Sequence, residues 1–262
     1  MLLIVLWWLA LLALIVTQLV ASGRTEARIA ANLRDGAIAE AVADAAVHRA
    51  IFQVLAHRWD IDGRLREVGS EQGTALVRID DEGSKIDPNV APPPLMAALL
   101  RACGAPTKTA DALAAAIYQW RGIDVTGTVA GKIAQQYSAA SLGYLPPNKR
   151  FVSEDEVGLV LGMTPDLLAC IRPHISVYSL SLPSLSTSND RLVRQALVDA
   201  YADAAVVPVG QRMQEVSVVR ILATAQTVAG TRFRRLAIVR VINATLDERF
   251  AYRILYWEGG AG

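Results

Sequence analysis

Three histidines, two cysteines and a few clusters of acids are the residues of this chain whose side chains could do acid–base, nucleophilic or metal chemistry. His48 and His57 are nine residues apart on sequence that reads as one helix, so they do not share a face as a metal-binding pair would. His174 stands beside Pro173 with no sequence neighbour to act as its partner, and a lone histidine of this kind reads as structural. Cys103 and Cys170 are too far apart for a C-x-x-C centre, which argues against zinc or thioredoxin-like chemistry. In an oxidising compartment they can pair, and separated reduced cysteines are the alternative. Acids gather at Asp80, Asp81, Glu82 and Asp87, at Asp124 after Trp120-Arg121-Gly122, and in the triplet Glu154-Asp155-Glu156. Calcium takes six to eight oxygen ligands, often from such loops, but none has the EF-hand spacing. The triplet also reads as first-turn carboxylates favoured by a helix dipole.

Hydrolase, nucleotide and metalloprotease motifs are absent: no G-x-S-x-G, Walker loop, G-x-G-x-x-G after a strand, or H-E-x-x-H. Net charge is +1, from 26 basic and 25 acidic residues, which gives no electrostatic case for an acidic partner. Asp87-Pro88-Asn89-Val90-Ala91 faintly resembles the start of a helix–hairpin–helix module, yet the following segment has few lysines and no basic stripe, so no nucleic-acid partner is expected.

The elements that must position these residues begin with Met1–Gly23, which holds no charged residue. At 1.5 Å per residue it spans roughly 30–35 Å, enough for a hydrocarbon core. A signal peptide has a basic start, a shorter apolar core and an A-x-A-like site; here the charged start is missing and the apolar run is too long. From Arg24 to about His57 there is no proline, and Ile29, Leu33, Ala37, Ala41, Ala45, His48, Phe52 and Leu55 recur three or four apart as one apolar stripe. Charged residues such as Arg28, Arg34, Asp35, Glu40, Asp44 and Arg49 fill much of the remaining surface. The expectation is one long stalk helix: residues 1–23 cross a membrane, and residues 24–57 continue as an amphipathic stretch packed partly on the chain's own sheet and partly on neighbouring helices.

Helical periodicity stops after Arg58. Thr74–Asp80 is rich in β-formers and reads as a strand bounded by Gly73 and by Asp81-Glu82-Gly83. Pro88, Pro92, Pro93 and Pro94 then mark a boundary. Short helices are expected at Leu95–Cys103, Thr109–Trp120, Gly131–Ser141, Ser153–Leu161 and Pro165–Ile171, with a further one at Asp190–Ala204. Helices this short must pack on one another. Val216–Ala225, Arg232–Asn243 and Arg249–Trp257 read as strands, with turns at Gly230 and Leu246–Glu248, spaced for an antiparallel meander. The fold class is α+β: a long N-terminal helix, an antiparallel sheet from residues 58–88 and 205–262, and an inserted α-helical subdomain from residues 89–204.

With these pieces in place the chain resembles type II secretion system protein K, the K-type minor pseudopilin family. The resemblance rests on Leu2-Leu3-Ile4-Val5-Leu6-Trp7 leading to Gly23-Arg24-Thr25-Glu26-Ala27-Arg28, and on Val77-Arg78-Ile79-Asp80-Asp81-Glu82-Gly83-Ser84-Lys85-Ile86-Asp87-Pro88-Asn89, similar to the family's "DE-x-GKINLN". It continues with Ala116-Ile117-Tyr118-Gln119-Trp120-Arg121-Gly122-Ile123-Asp124, similar to "AI-x-DWRDxD", then Phe151–Val157, Gly162-Met163, Arg172-Pro173 and Val177-Tyr178-Ser179. Their order and spacing carry it.

The resemblance implies a pilin-like fold and a non-enzymatic assembly part. It implies a single-pass inner-membrane protein of a Gram-negative cell with its globular domain in the periplasm. Its partners would be the I- and J-type minor pseudopilins, other pseudopilins and the inner-membrane platform. Together these would form the pseudopilus tip, start its assembly and help export folded proteins. Leu2, Val5, Trp7, Leu9, Leu12, Ile15 and Leu19 would then serve the membrane and assembly helix, and Ile29, Leu33, Ala37 and Ala41 a partner-facing stripe. The family's basic leader is not seen, so the numbering begins near the mature end or the start was placed late. Val5 stands where most pilins have glutamate, and no acid precedes Glu26. A tip subunit has no neighbour above it whose amine needs neutralising, and an unpaired charge in the membrane is costly. No cofactor is expected with certainty. Calcium on Asp124, Glu154 and Asp155 would use an eroded ligand pattern, because Gly122 replaces an acid and Lys132 stands where members carry one. The alternatives are a membrane-anchored periplasmic hydrolase and a DNA-uptake or binding module.

Overall fold

The structure is a computed structural model that describes residues 1–122, 128–186, 188–202, 216–242 and 251–261. One uninterrupted helix, α1 (Leu2–Leu55), opens the chain. No proline breaks it, and it stops where Ala56 leaves helical geometry and His57 takes φ 52°. Its first half projects. Its second half buries Ala39, Val42, Ala43, Ala46, Val47, Ala50, Ile51 and Val54. The stripe expected to reach the chain's own sheet is therefore largely displaced: Ile29, Leu33, Ala37, Ala41, Ala45 and Phe52 are exposed, while His48 meets Trp257 at the sheet's edge strand and Leu55 packs on the sheet core. This helix carries two apolar stripes, and the inner one mixes alanines with Val42, Val47, Ile51 and Val54.

Five antiparallel strands run in the order β1 (Leu65–Ser70), β2 (Gly73–Asp81), β3 (Val216–Thr227), β4 (Arg232–Ile242), β5 (Tyr252–Ala261). β1, with the sequence LREVGS, has only Val68 buried and no alternation to announce it, which is why it goes unread in the sequence. The turn at Leu246–Glu248 lies outside the described residues. Alternation puts Ala75, Val77 and Ile79, then Val219, Ile221, Ala223 and Ala225, then Ala237, Val239 and Val241 under α1. Alanines on both sides let helix and sheet approach closely. Arg235 of β4 pins this seam. Its Nε donates to Asp44 (2.5 Å), its Nη2 donates to Glu40 (2.6 Å), and its guanidinium lies between the rings of Phe233 (4.9 Å) and Trp257 (5.0 Å). Gly259 on β5 is what makes room, since a Cβ there would sit 2.2 Å from Arg235 Nη1.

β2 and β3 are neighbours in the sheet, with Asp81 opposite Val219, yet the chain between them forms a separate helical body. Its helices are α2 (Pro93–Ala102), α3 (Thr107–Trp120), α4 (Thr128–Ala139), α5 (Pro165–Ile171) and α6 (Arg191–Ala200). They enclose their own core around Leu95, Leu99, Leu113, Ile117, Trp120 and Ile171. Residues 153–161 do not form the expected α-helix. Asp155–Leu159 is a 3-10 turn, because Glu154 and Glu156 have other work than a first turn. Glu156 accepts from Val152 N and Trp120 Nε1. Glu154 reaches the sheet: Arg220 of β3 donates to it at 2.6 Å and to Glu82 at 2.6 Å, and Lys85 also binds Glu82 (2.7 Å).

Glu82 is fully buried. Burial would raise its carboxyl, but Lys85 and Arg220 outweigh that and hold it below the ordinary range. Burial does raise Glu154, with Arg220 pulling the other way and the charge of Glu82 adding to the rise. This joint couples the two cores through charge.

Two outcomes follow from these contacts. Arg235→Met, which keeps the stem and removes the charge-assisted bonds, should lower stability by about 2 kcal/mol in urea denaturation of the detergent-solubilised chain. Arg220→Met should cost about 3–5 kcal/mol at pH 7, because it strands a buried carboxylate. Glu82's contribution in the native joint is present at neutral pH and fades as pH falls through the carboxylate range. Without Arg220, burial favours the protonated acids instead, so the deficit should shrink between pH 7 and pH 4.5. A deficit independent of pH would mean that the joint is not electrostatic.

Candidate functional site

The feature with most surface to act on is the projecting half of α1. Leu2, Val5, Trp7, Leu9, Leu12 and Ile15 are all exposed on it, and none packs on the chain's own core. Leu19 belongs to the same helix by backbone, and its side chain lies outside the described residues. By length and composition the helix suffices to cross a membrane. Of its polar side chains, Thr17 is satisfied within the helix, its hydroxyl donating to Ala13 O at 2.7 Å. In water such a surface would be costly at every turn; lipid or packed helices remove that cost.

The outward stripe continues this surface onto the folded body. Leu33 is 70% exposed and Phe52 59%, with Ile29, Ala37 and Ala41 between the projecting helix and Phe52 on the same side. The direction of the helix also locates the inserted body. Glu40 and Asp44 meet Arg235, while His48 meets Trp257 (5.5 Å), which pairs with Ala237. Following α1 forward therefore means moving along β4 from Arg235 toward Val241, the end at which Asp81 and Val219 also lie. The insert leaves the sheet at that end, away from the projecting helix.

The histidines are placed individually. His48 Nδ1 is bonded to Asp44 O, and its ring sits against Trp257. His174 does have a partner: its Nδ1 is 2.5 Å from Asp190 Oδ2. Asp190's other oxygen caps α6 through Leu192 N and Val193 N, so this pair ties the end of α5 to the start of α6. Sequence reading missed it because the two residues are 16 apart across a serine-rich strap. The cysteines are joined, Cys103 at the end of α2 to Cys170 on α5, with Cα atoms 5.9 Å apart.

Of the candidate calcium ligands, Glu154 and Asp155 lie among the described residues. Asp124 lies outside the described residues, Glu154 is held by Arg220, and Asp155 is paired with Arg172 at 2.7 Å. Two of the three acids thus already face guanidinium groups, and among the described residues no cluster of three metal-ligating side chains occurs.

Asp87-Pro88-Asn89 works as a clamp. Asp87 accepts from Asn89 N (2.7 Å) and, across the insert, from Leu180 N (2.8 Å). Burial raises its carboxyl against those donors. Asn89 exchanges two bonds with the backbone of Phe151, accepting from its N–H (2.8 Å) and donating to its carbonyl (3.1 Å). Phe151 in turn stacks on Trp120 at 5.8 Å. Arg121 donates to Ala91 O (3.4 Å) and lies over Tyr118 (4.7 Å). The residues that look most like a motif in this region hold its loops together.

Comparison with known proteins bears on this geometry. The family model of type II secretion system protein K matches residues 74–180. A search of curated proteins returns no match. Among solved structures, a chain from the crystal structure of the GspK–GspI–GspJ complex of the enterotoxigenic Escherichia coli type II secretion system has a similar fold. It superposes with a TM-score of 0.56 at 14% identity, covering 91% of this chain and 99% of that one. The matched segment begins on β2 and ends at Leu180, the residue that Asp87 ties down. That match spans part of the insert and β2, and the likeness over the whole chain is one of fold: a pilin-like architecture similar to that of a type II secretion system protein K.

Proposed function

We propose that this chain is a K-type minor pseudopilin that forms the tip of the periplasmic pseudopilus together with the I- and J-type minor pseudopilins, starts its assembly and helps export folded proteins across the outer membrane. The observation that carries the reading is the single helix α1, apolar and unpacked at its start, then pinned to the sheet by Arg235. In this reading residues 1–23 are held in the inner membrane and are later drawn into the pseudopilus core. Other pseudopilins and the inner-membrane platform meet the chain there. Ile29, Leu33, Ala37 and Ala41 then face partner helices, which their exposure supports. The chain resembled in fold comes from a complex of K-, I- and J-type subunits, which supports the same partners. The insert, at the far end of the sheet, stands outermost. A non-enzymatic role agrees with the histidines: the Asp190 carboxylate that meets His174 is shared with the cap of α6.

The test is co-purification of the full-length chain with I- and J-type subunits of the same genome, in detergent. The native chain should form a ternary complex. Leu33→Asp with Ala37→Asp should weaken it at least about tenfold, with urea stability unchanged within about 0.5 kcal/mol, since both sites are exposed. A native chain that folds but never joins the other two would sink the tip assignment. An undiminished complex from the double variant would remove the stripe from the interface.

A further inference from the structure

We propose that the Cys103–Cys170 disulfide is a redox latch on the insert, whose reduction frees the chain from α4 to α5 while α1 and the sheet stay folded. The inference does not depend on which partners the stalk meets. Four features carry it.

The two hydrophobic cores are separate. The core around Leu99, Ile117 and Trp120 shares no residue with the one between α1 and the sheet. Opening one need not open the other.

Within the latched segment α3 is held by the insert's core, but the part from α4 to α5 is weak by itself. α5 has seven residues with only Ile171 buried, Asp155–Leu159 is a 3-10 turn, and α4 buries just Ile133 and Tyr137 among its described side chains. Helices of this length are marginal without packing.

The bond also closes a long loop. The cysteines are 67 residues apart, and the constraint on an unfolded loop grows with its length. Nothing else covalent ties α5 to α2, for these are the chain's only two cysteines.

Finally, both half-cystines are partly exposed, so a thiol can reach them. The segment they enclose carries Glu154, one of the carboxylates on Arg220 of the sheet. Releasing it loosens the insert's charge joint, leaving the bonds of Glu82 to Arg220 and Lys85 in place.

The chemistry balances as thiol–disulfide exchange. The Cys103 and Cys170 thiols lose two protons and two electrons as the S–S bond forms, and the disulfide of an oxidant of the thiol-exchange class becomes its dithiol. A chain delivered with both thiols reduced therefore has its stalk and sheet formed before its insert is latched.

Amide hydrogen exchange on the purified full-length chain, oxidised and then reduced with a phosphine, tests this. Reduction should raise exchange at least about tenfold in α4, Asp155–Leu159 and α5, while β3, β4 and the packed half of α1 keep their protection. Cys103→Ser with Cys170→Ser, without reductant, should reproduce the pattern. Unchanged protection of the insert on reduction overturns the proposal. So does an equal loss across the sheet, which would make the two cores one unit, and so does a double variant that stays latched.

Discussion

The contact between α1 and the sheet governs the rest of the molecule. A helix that spends its first half unpacked has to be fixed in direction by its second half. The packed half does this with small residues: Ala39, Ala43, Ala46 and Ala50 bring it close to Ala75, Ala223, Ala225 and Ala237. Close approach maximises dispersion but leaves little side-chain relief to set rotation and register. Arg235 supplies that. Its paired bonds to Glu40 and Asp44 fix the helix along its axis, and the Phe233 and Trp257 rings on either side fix the guanidinium. The outward stripe faces away because the inward one is held in this way.

The same economy explains how a large insert is carried. β2 and β3 pair without interruption, so the sheet does not need the residues between them. The insert is stabilised by its own core and meets the sheet through a buried charge cluster. Buried ion pairs contribute little net stability beside an apolar alternative, but their geometry is demanding. Such a joint suits orientation: it holds Glu154 to one position on β3 and tolerates no sliding.

Sequence reading recovered the long helix, the helical segment between β2 and β3 and four of the five strands, because each is a periodicity or a composition shift. It failed where the deciding information was a partner distant in sequence. Arg235 sits in the run Arg232-Phe233-Arg234-Arg235, and nothing local says which arginine turns inward. His174 seems solitary until the strap returns Asp190 to it. Glu154 reads as a first-turn acid until Arg220, 66 residues on, claims it. The stalk stripe was misassigned for a related reason. Large side chains at Ile29, Leu33 and Phe52 outweigh alanines in any hydrophobic count, yet alanines are what a close seam selects.

That misassignment bears on function. A soluble domain normally turns its bulkier apolar face inward, because burial returns about 25 cal/mol per Å² of surface removed from water. Here Val42, Val47, Ile51 and Val54 are buried with the alanines, yet Ile29, Leu33 and Phe52 are left out, on the same helix as the exposed apolar residues of the projecting half. The chain's own folding cannot cover this surface, since the sheet is already occupied by the opposite face and Arg235 prevents the helix from rolling. A surface that is apolar over so many turns, and rigidly presented, is stable only against something equally apolar. The first half needs a medium that is apolar all round, and the second half needs a partner on one side only. A lipid bilayer answers the first requirement and a neighbouring helix the second, and a bundle of stalk helices answers both at once.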